Sequence, residues 1–332
     1  MRRPPLLVLV MVLTLMLVAT GSVAARSKVS LGIASPDSTN PAMVDQVTNL
    51  TGSRPALWAL WSDWGDLGGQ ARCVTGIGSC GFPIAAAREL RNRRITPFIW
   101  WQPTDPANPT AGKYERYQNI ISGKHDKYIK AWAKAAKRFG KPVIVRFAHE
   151  MNGSWFPWAL TKFDNNPAKF KKAWKRIVKK FRAVGANNVR FLWSPYRQGC
   201  RGCTKAAYGK FYPGDAYVDY VGVSVLNWGA SWQPMTRLLK KPMNKLRAVT
   251  RKPVILPEVA SNHTSGNKAA WIKSGYKKAV KQWPNIRAIV YFDYDTSPVG
   301  QPDWRLIQPP DGSALRAYRS IASNKTFRAS IP

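Results

Sequence analysis

The chain has 332 residues, with 52 Lys and Arg against 17 Asp and Glu, a formal charge of +35. Its length suits one large α/β domain. Beyond the N-terminus no stretch is apolar enough to cross a bilayer. The positive charge suits polyanions in general, but it is spread along helix-like segments such as residues 171–182, so specific nucleic-acid recognition is not expected.

In chain order, the first element is a leader. Arg2 and Arg3 precede an apolar run over residues 6–19 and the small residues Val23, Ala24 and Ala25. That pattern predicts a secretory signal peptide over residues 1–25, leaving a mature chain of about 307 residues and about +33 charge. Strand-like runs then occur at residues 29–33, 56–60, 95–101, 143–147, 189–193, 220–225, 254–256 and 286–292. Helical patterns lie between them. Tyr128, Trp132, Ala135 and Phe139 recur at helical spacing, as do Phe170, Trp174, Ile177, Val178 and Phe181, the second stripe stopping at Gly185. These are packing faces. Further helices are expected at 234–250, 267–283 and 312–322, and the tail after Ser323 is expected to be poorly ordered.

Short apolar strands alternating with helices predict a parallel sheet. Eight such units in one domain, residues 26–325, predict a (β/α)8 TIM barrel. No glycine-rich phosphate loop follows a strand, so a nucleotide-binding role is not indicated. In such a barrel, chemistry sits at the C-terminal ends of the strands.

Two of those ends carry carboxylates. Val143, Ile144 and Val145 lead to Arg146, His149 and Glu150, then to Asn152, Gly153, Trp155, Phe156 and Trp158. Val254, Ile255 and Leu256 lead to Glu258. Arg, His and Glu at the end of an apolar strand are costly to bury unless paired. Glycoside hydrolysis needs two carboxyl groups flanking the scissile bond, ~5–5.5 Å apart in retaining enzymes. Of the 15 Trp, Trp100, Trp101, Trp155, Trp158 and Trp228 are expected in loops after strands, where sugar rings can stack. The four cysteines, Cys73, Cys80, Cys200 and Cys203, allow three disulfide connectivities. Cys73–Cys80 and Cys200–Cys203 each bracket a glycine-bearing loop and are the expected pairs in a secreted chain. A four-Cys zinc site and a redox Cys-X-X-Cys at Cys200 remain as alternatives that fit the spacing and surroundings less well.

The run RFAHEMNGSWFPW resembles the acid/base motif of glycoside hydrolase family 26, which includes β-mannanases and hydrolases of mixed-linkage and β-1,3-linked polysaccharides. DYVGVSVLNWG, KPVILPEVAS and AIVYFDYD followed by DWRL extend the resemblance over the mature chain. It implies a TIM barrel, retaining chemistry, and no cofactor or metal. Carried over, it implies Glu150 as general acid/base and Glu258 as nucleophile. His149, Arg146, Asn152, Trp155, Asn227, Trp228 and Tyr291 would then serve substrate binding and positioning. One motif departs from the family pattern: Leu226 stands where a Tyr supporting the nucleophile is expected, and Ser224 where Asp is common. The implied activity is a secreted, monomeric endo-β-glycan hydrolase of endo-β-1,4-mannanase type, acting on a β-linked polysaccharide and touching anionic cell-wall polymers through its basic surface. The alternative is a weakly active or non-catalytic polysaccharide-binding protein on the same barrel, motivated by Leu226 and the charge.

Overall fold

The computed structural model describes residues 28–331 apart from 65–80, 106–107, 109, 198–201, 230, 265, 308–311 and 329. The signal peptide expected over 1–25 and Cys73, Cys80 and Cys200 therefore lie outside the described residues. Cys203 lies within them and is not a free thiol.

The strands are β1 (Ser30–Ala34), β2 (Leu57–Asp63), β3 (Thr96–Gln102), β4 (Val143–Phe147), β5 (Val189–Trp193), β6 (Tyr220–Val221), β7 (Val225–Asn227), β8 (Val254–Ser261) and β9 (Ile286–Phe292). All their pairings are parallel, and β1 meets β9 to close the ring. β6 pairs with both β5 and β8, and β7 pairs with β8, so these two short strands are one barrel strand broken in the middle. The result is the expected eight-position (β/α)8 barrel. The break falls at Gly222. A Cβ there would lie 2.1 Å from the Ile255 carbonyl oxygen, so only glycine lets the chain pass β8 this closely.

The intervening helices are α1 (Pro41–Thr51), α2 (Ile84–Asn92), α3 (Tyr117–Ile121), α4 (Asp126–Phe139), α5 (Pro167–Ala183), α6 (Tyr208–Phe211), α7 (Met235–Val249), α8 (Lys268–Gln282) and α9 (Gly312–Ala322). Their starts and stops follow local chemistry. On α5, Asn166 accepts from the Lys169 N–H and Pro167 occupies the first turn. α4 stops at Gly140, whose φ of 70° reverses the chain. The α5 stripe of Phe170, Trp174, Ile177, Val178 and Phe181 is buried against the barrel.

Strand alternation sorts side chains into two cores. Ala59, Phe98, Trp100, Ile144, Leu192, Ile255, Ala288 and Val290 fill the barrel interior. Val143, Val145, Phe147, Val189, Leu256, Ile289 and Tyr291 face the helices. The tail departs from expectation. Phe327 and Ile331 are buried, Ile331 joins the barrel-interior cluster, and the Val29 N–H donates to the Thr326 carbonyl at 2.7 Å. Two apolar anchors after Ser323 give the segment enough burial to close the barrel floor.

Candidate active site

Parity on β4 places the first functional group. Ile144 points into the barrel, so Arg146 does too, two residues on. Arg146 is fully buried. Its Nη2 donates to Glu258 Oε2 (2.9 Å), Ser224 Oγ (2.9 Å) and Ser194 Oγ (3.1 Å), and lies 3.9 Å from Glu150 Oε1. Its guanidinium carbon sits 4.7 Å from the Trp100 ring centroid, a cation–π contact inside the barrel. One cation thus serves two carboxylates.

Glu150 reaches that cation through an unusual backbone. Ala148 and Glu150 have φ of 42° and 51°, the left-handed region that residues other than glycine seldom adopt. The turn is held because the Glu150 N–H donates to the Ser194 carbonyl at 2.8 Å and the Gly153 N–H returns to the Glu150 carbonyl at 2.9 Å. Such strain costs about 1–3 kcal/mol per residue and persists where surrounding structure holds it. The Glu150 carboxyl accepts from the Trp155 indole N–H at 2.9 Å. Gly153 makes room for that indole, since a Cβ there would lie 2.6 Å from the ring. Burial, and then the nearby Glu258 charge, push the Glu150 carboxyl up to about 8, against the pull of Arg146 and a Ser224 hydrogen bond.

Glu258 is aimed by a bulge. Leu256 pairs with Ile289 while Val259 pairs with Tyr291, so three steps on β8 match two on β9. Leu256 and Val259 both face the helices, and the extra residue turns Glu258 toward Arg146. Sequence places Glu258 just after its strand; in the structure it lies within β8, which runs on to Ser261. Ser224, at the break between β6 and β7, donates to Glu258 Oε2 at 2.6 Å. Arg146 and Ser224 therefore both engage the same oxygen.

Of the other expected residues, Trp155 and Trp228 are 44% and 37% exposed and stand at the mouth. Trp228 donates to the Tyr196 hydroxyl at 3.1 Å and packs edge-on against Trp304. Trp100, Trp101 and Trp158 are not loop platforms: the first two lie within β3 and all three are buried, because alternation sends Trp100 into the barrel and Trp101 toward the helices. His149 is fully buried among Trp61, Trp100, Phe156 and Trp158. Burial and the adjacent Arg146 hold its ring well below the usual histidine range, so it is a neutral packing group behind the acid. Asn152 clamps the loop after β5, its side chain bonding both the Tyr196 N–H (2.7 Å) and carbonyl (2.9 Å). Asn227 bonds Ser261 Oγ and the Gln233 N–H and is buried. Tyr291 is a correction: it faces the helices, with its hydroxyl on the Trp304 carbonyl at 3.0 Å, away from both carboxylates. Three residues on, Tyr294 lies in the site instead. It receives the Trp61 indole N–H at 2.5 Å, and burial foremost, with the Glu258 charge, pushes its hydroxyl up. Among the described residues no group of three or more His, Cys, Asp or Glu could hold a metal ion.

The model of glycosyl hydrolase family 26 matches residues 107–293, more than half of the chain and including every group bonded to Arg146 above. The chain belongs to glycosyl hydrolase family 26. It is 34% identical to Endoglucanase H of Acetivibrio thermocellus over 263 residues, 71% of this chain and 28% of that protein. It is 26% identical to a mannan endo-1,4-beta-mannosidase of Bacillus subtilis over 171 residues, 49% of this chain and 42% of that one. The chain thus spans less than half the length of these relatives. A GH26 beta-mannanase structure from Bacteroides ovatus shares the fold at a TM-score of 0.65 and 17% identity, covering 91% of this chain and 90% of that one. An endo-beta-1,4-mannanase of Cellulomonas fimi does so at a TM-score of 0.68 and 17% identity, covering 91% and 72%.

Within this family 26 chain, the departure at residues 224–226 has a local answer. Leu226 cannot donate to Glu258, and the hydroxyl that does is that of Ser224. Sequence reasoning singled out Ser224 only as an oddity, and it passed over Ser194, Tyr196, Trp61 and Tyr294. A Ser or Tyr one residue past a predicted strand end, as Ser194 is, was the available signal.

Proposed function

We propose that the chain is a secreted, retaining endo-β-glycan hydrolase, with Glu258 as nucleophile and Glu150 as general acid/base. The observation that carries this reading is one buried guanidinium nitrogen 2.9 Å from Glu258 and 3.9 Å from Glu150. Carboxylates sharing one nitrogen fit the ~5–5.5 Å spacing of retaining enzymes better than the ~6.5–9.5 Å that leaves room for a water. The two environments differ as the two roles require. Arg146 and Ser224 both bond Glu258 Oε2, leaving Oε1 to attack the anomeric carbon. Glu150, raised to about 8, is protonated at neutral pH and donates to the departing glycosidic oxygen. Once ionised, it takes the proton of the water that releases the glycosyl-enzyme. Trp155, bonded to Glu150 and open at the mouth, offers its ring to a sugar beside the cleavage point.

The proposed substrate is a β-1,4-linked backbone, with mannan as the first reading because several relatives are named mannan endo-1,4-beta-mannosidases. A β-glucan is the second, because the alignment with Endoglucanase H is longer than theirs. Residues 1–25 support secretion, and the cysteine pairs 73–80 and 200–203 belong to the same reading. The test is reducing-sugar release from β-mannan, mixed-linkage β-glucan and β-1,3-xylan by wild type and Glu258→Ala. Release by wild type alone supports the hydrolase and names its polymer, and azide should restore turnover to the alanine variant on an activated aryl glycoside. No release by a folded wild type would favour a non-catalytic polysaccharide-binding protein.

A further inference from the structure

The floor of the barrel carries a second feature, independent of the carboxylate site. At the N-terminal ends of β1, β2 and β3, the side chains of Arg54, Arg91, Arg94 and Arg328 line one cavity of about 570 Å³. They come from four places: the turn after α1, the last turn of α2, the loop into β3, and the tail. Its lining contains no acidic residue. Among the described residues none of the four forms an ion pair, whereas the neighbouring Arg93 is bound by both Asp45 and Glu89. The Arg91 Nε is sealed from solvent with no hydrogen-bond partner. Arg94 holds a left-handed backbone at φ 57°. The apolar Leu31, Phe327 and Ile331 and the polar Ser53 and Ser330 also line the cavity.

Arg54, Arg94 and Arg328 are exposed, so water screens their charges, but the sealed Arg91 Nε is a buried donor without a partner, which is costly. An oxyanion suits such unpaired groups, because the guanidinium fork matches phosphate and carboxylate oxygens in pairs. The cavity is too large for one such group and suits a short run of them. We propose that this cavity is a binding site for an oligomeric oxyanion, a chain segment bearing two or more phosphate or carboxylate groups. It opens on the face opposite the strand ends that carry Glu150 and Glu258, on the order of 20 Å away along the strands. A polymer held there leaves the mouth free, so the site would tether the protein to an acidic surface with its cleft pointing outward.

The test is calorimetric titration of the folded chain with tripolyphosphate and, separately, with a galacturonate hexamer. Saturable binding at one site per chain is expected for at least one probe, and the tighter of the two assigns the source of the charge. Arg94→Gly with Arg328→Ser should weaken it at least tenfold, since a hydrogen bond to a charged group is worth about that factor. Glycine accepts the backbone at residue 94, and both side chains are exposed, so the melting temperature should hold. Arg54→Ser is a second, independent probe with the same expectation. Lys172→Ser with Lys179→Ser on α5 removes equal charge elsewhere and should leave binding unchanged. Absence of saturable binding by both probes, or equal weakening by the α5 pair, would overturn the proposal in favour of diffuse electrostatics.

Discussion

Replacing Glu150 with glutamine keeps the shape and the acceptor for Trp155 but removes the titrating proton. Burial and the Glu258 charge raise the Glu150 carboxyl from 4.5 to about 8. Between those values the folded protein binds this proton and the unfolded chain does not, so wild-type stability falls as pH rises from 4.5 to about 8 and is level above it. At ~1.4 kcal/mol per unit the cost at alkaline pH reaches about 5 kcal/mol. The glutamine variant does not incur it. Wild type and Glu150→Gln should therefore melt at similar temperatures at pH 5, while at pH 9 the variant should melt about 10–20 °C higher, at ~2–4 °C per kcal/mol for a domain of this order of size. Activity should move the other way. Loss of the acid should lower turnover of polysaccharide ~10²–10⁴-fold, with far less loss on an aryl glycoside whose leaving group needs no proton. In wild type, kcat/KM should fall as pH rises through about 8. Differential scanning fluorimetry at the two pH values decides the stability half. A melting difference that does not change with pH would refute the reasoning, because it would mean that Glu150 is not held protonated by its surroundings.

Ser224→Ala removes the hydroxyl 2.6 Å from Glu258 Oε2. A hydrogen bond to a charged group is worth ~1.5–3 kcal/mol, so kcat should fall about ten- to a hundredfold with the fold intact, measured by steady-state kinetics and circular dichroism. Tyr291→Phe breaks only the bond to the Trp304 carbonyl and should cost ~1 kcal/mol in a urea titration while leaving KM unchanged. A changed KM would mean that Tyr291 touches substrate after all. Gly222→Ala drives a Cβ into the Ile255 carbonyl and should prevent soluble expression or lower the melting temperature by more than any variant above.

The eight strand positions, the packing stripes of α4 and α5 and the approximate limits of α7, α8 and α9 were legible in the chain because each is a local pattern, whereas α1, α2, α3 and α6 were not singled out. Residues 143–147, 189–193 and 286–292 carry enough β-branched and aromatic side chains to set their bounds to the residue. Glu150 and Glu258 stood out because carboxylates beside apolar strand residues need a reason to be there. Strand parity, which decides that Tyr291 faces the helices and Trp100 the barrel, is local too, but its sign depends on which face becomes the inside, and closing the ring decides that. The break at Gly222 and the bulge before Val259 are invisible locally because each answers to a neighbouring strand, not to its own residues. So is the bond from Ser224 to Glu258, between residues 34 positions apart that meet only when β7 lies against β8. The sequence by itself determined the alternation of strand and helix and the two acids, since these follow from side-chain chemistry within a few residues. Tertiary structure alone decided which hydroxyl supports Glu258, that one guanidinium serves both acids, and that four arginines converge on the barrel floor, because each depends on side chains brought together from separate strands and loops.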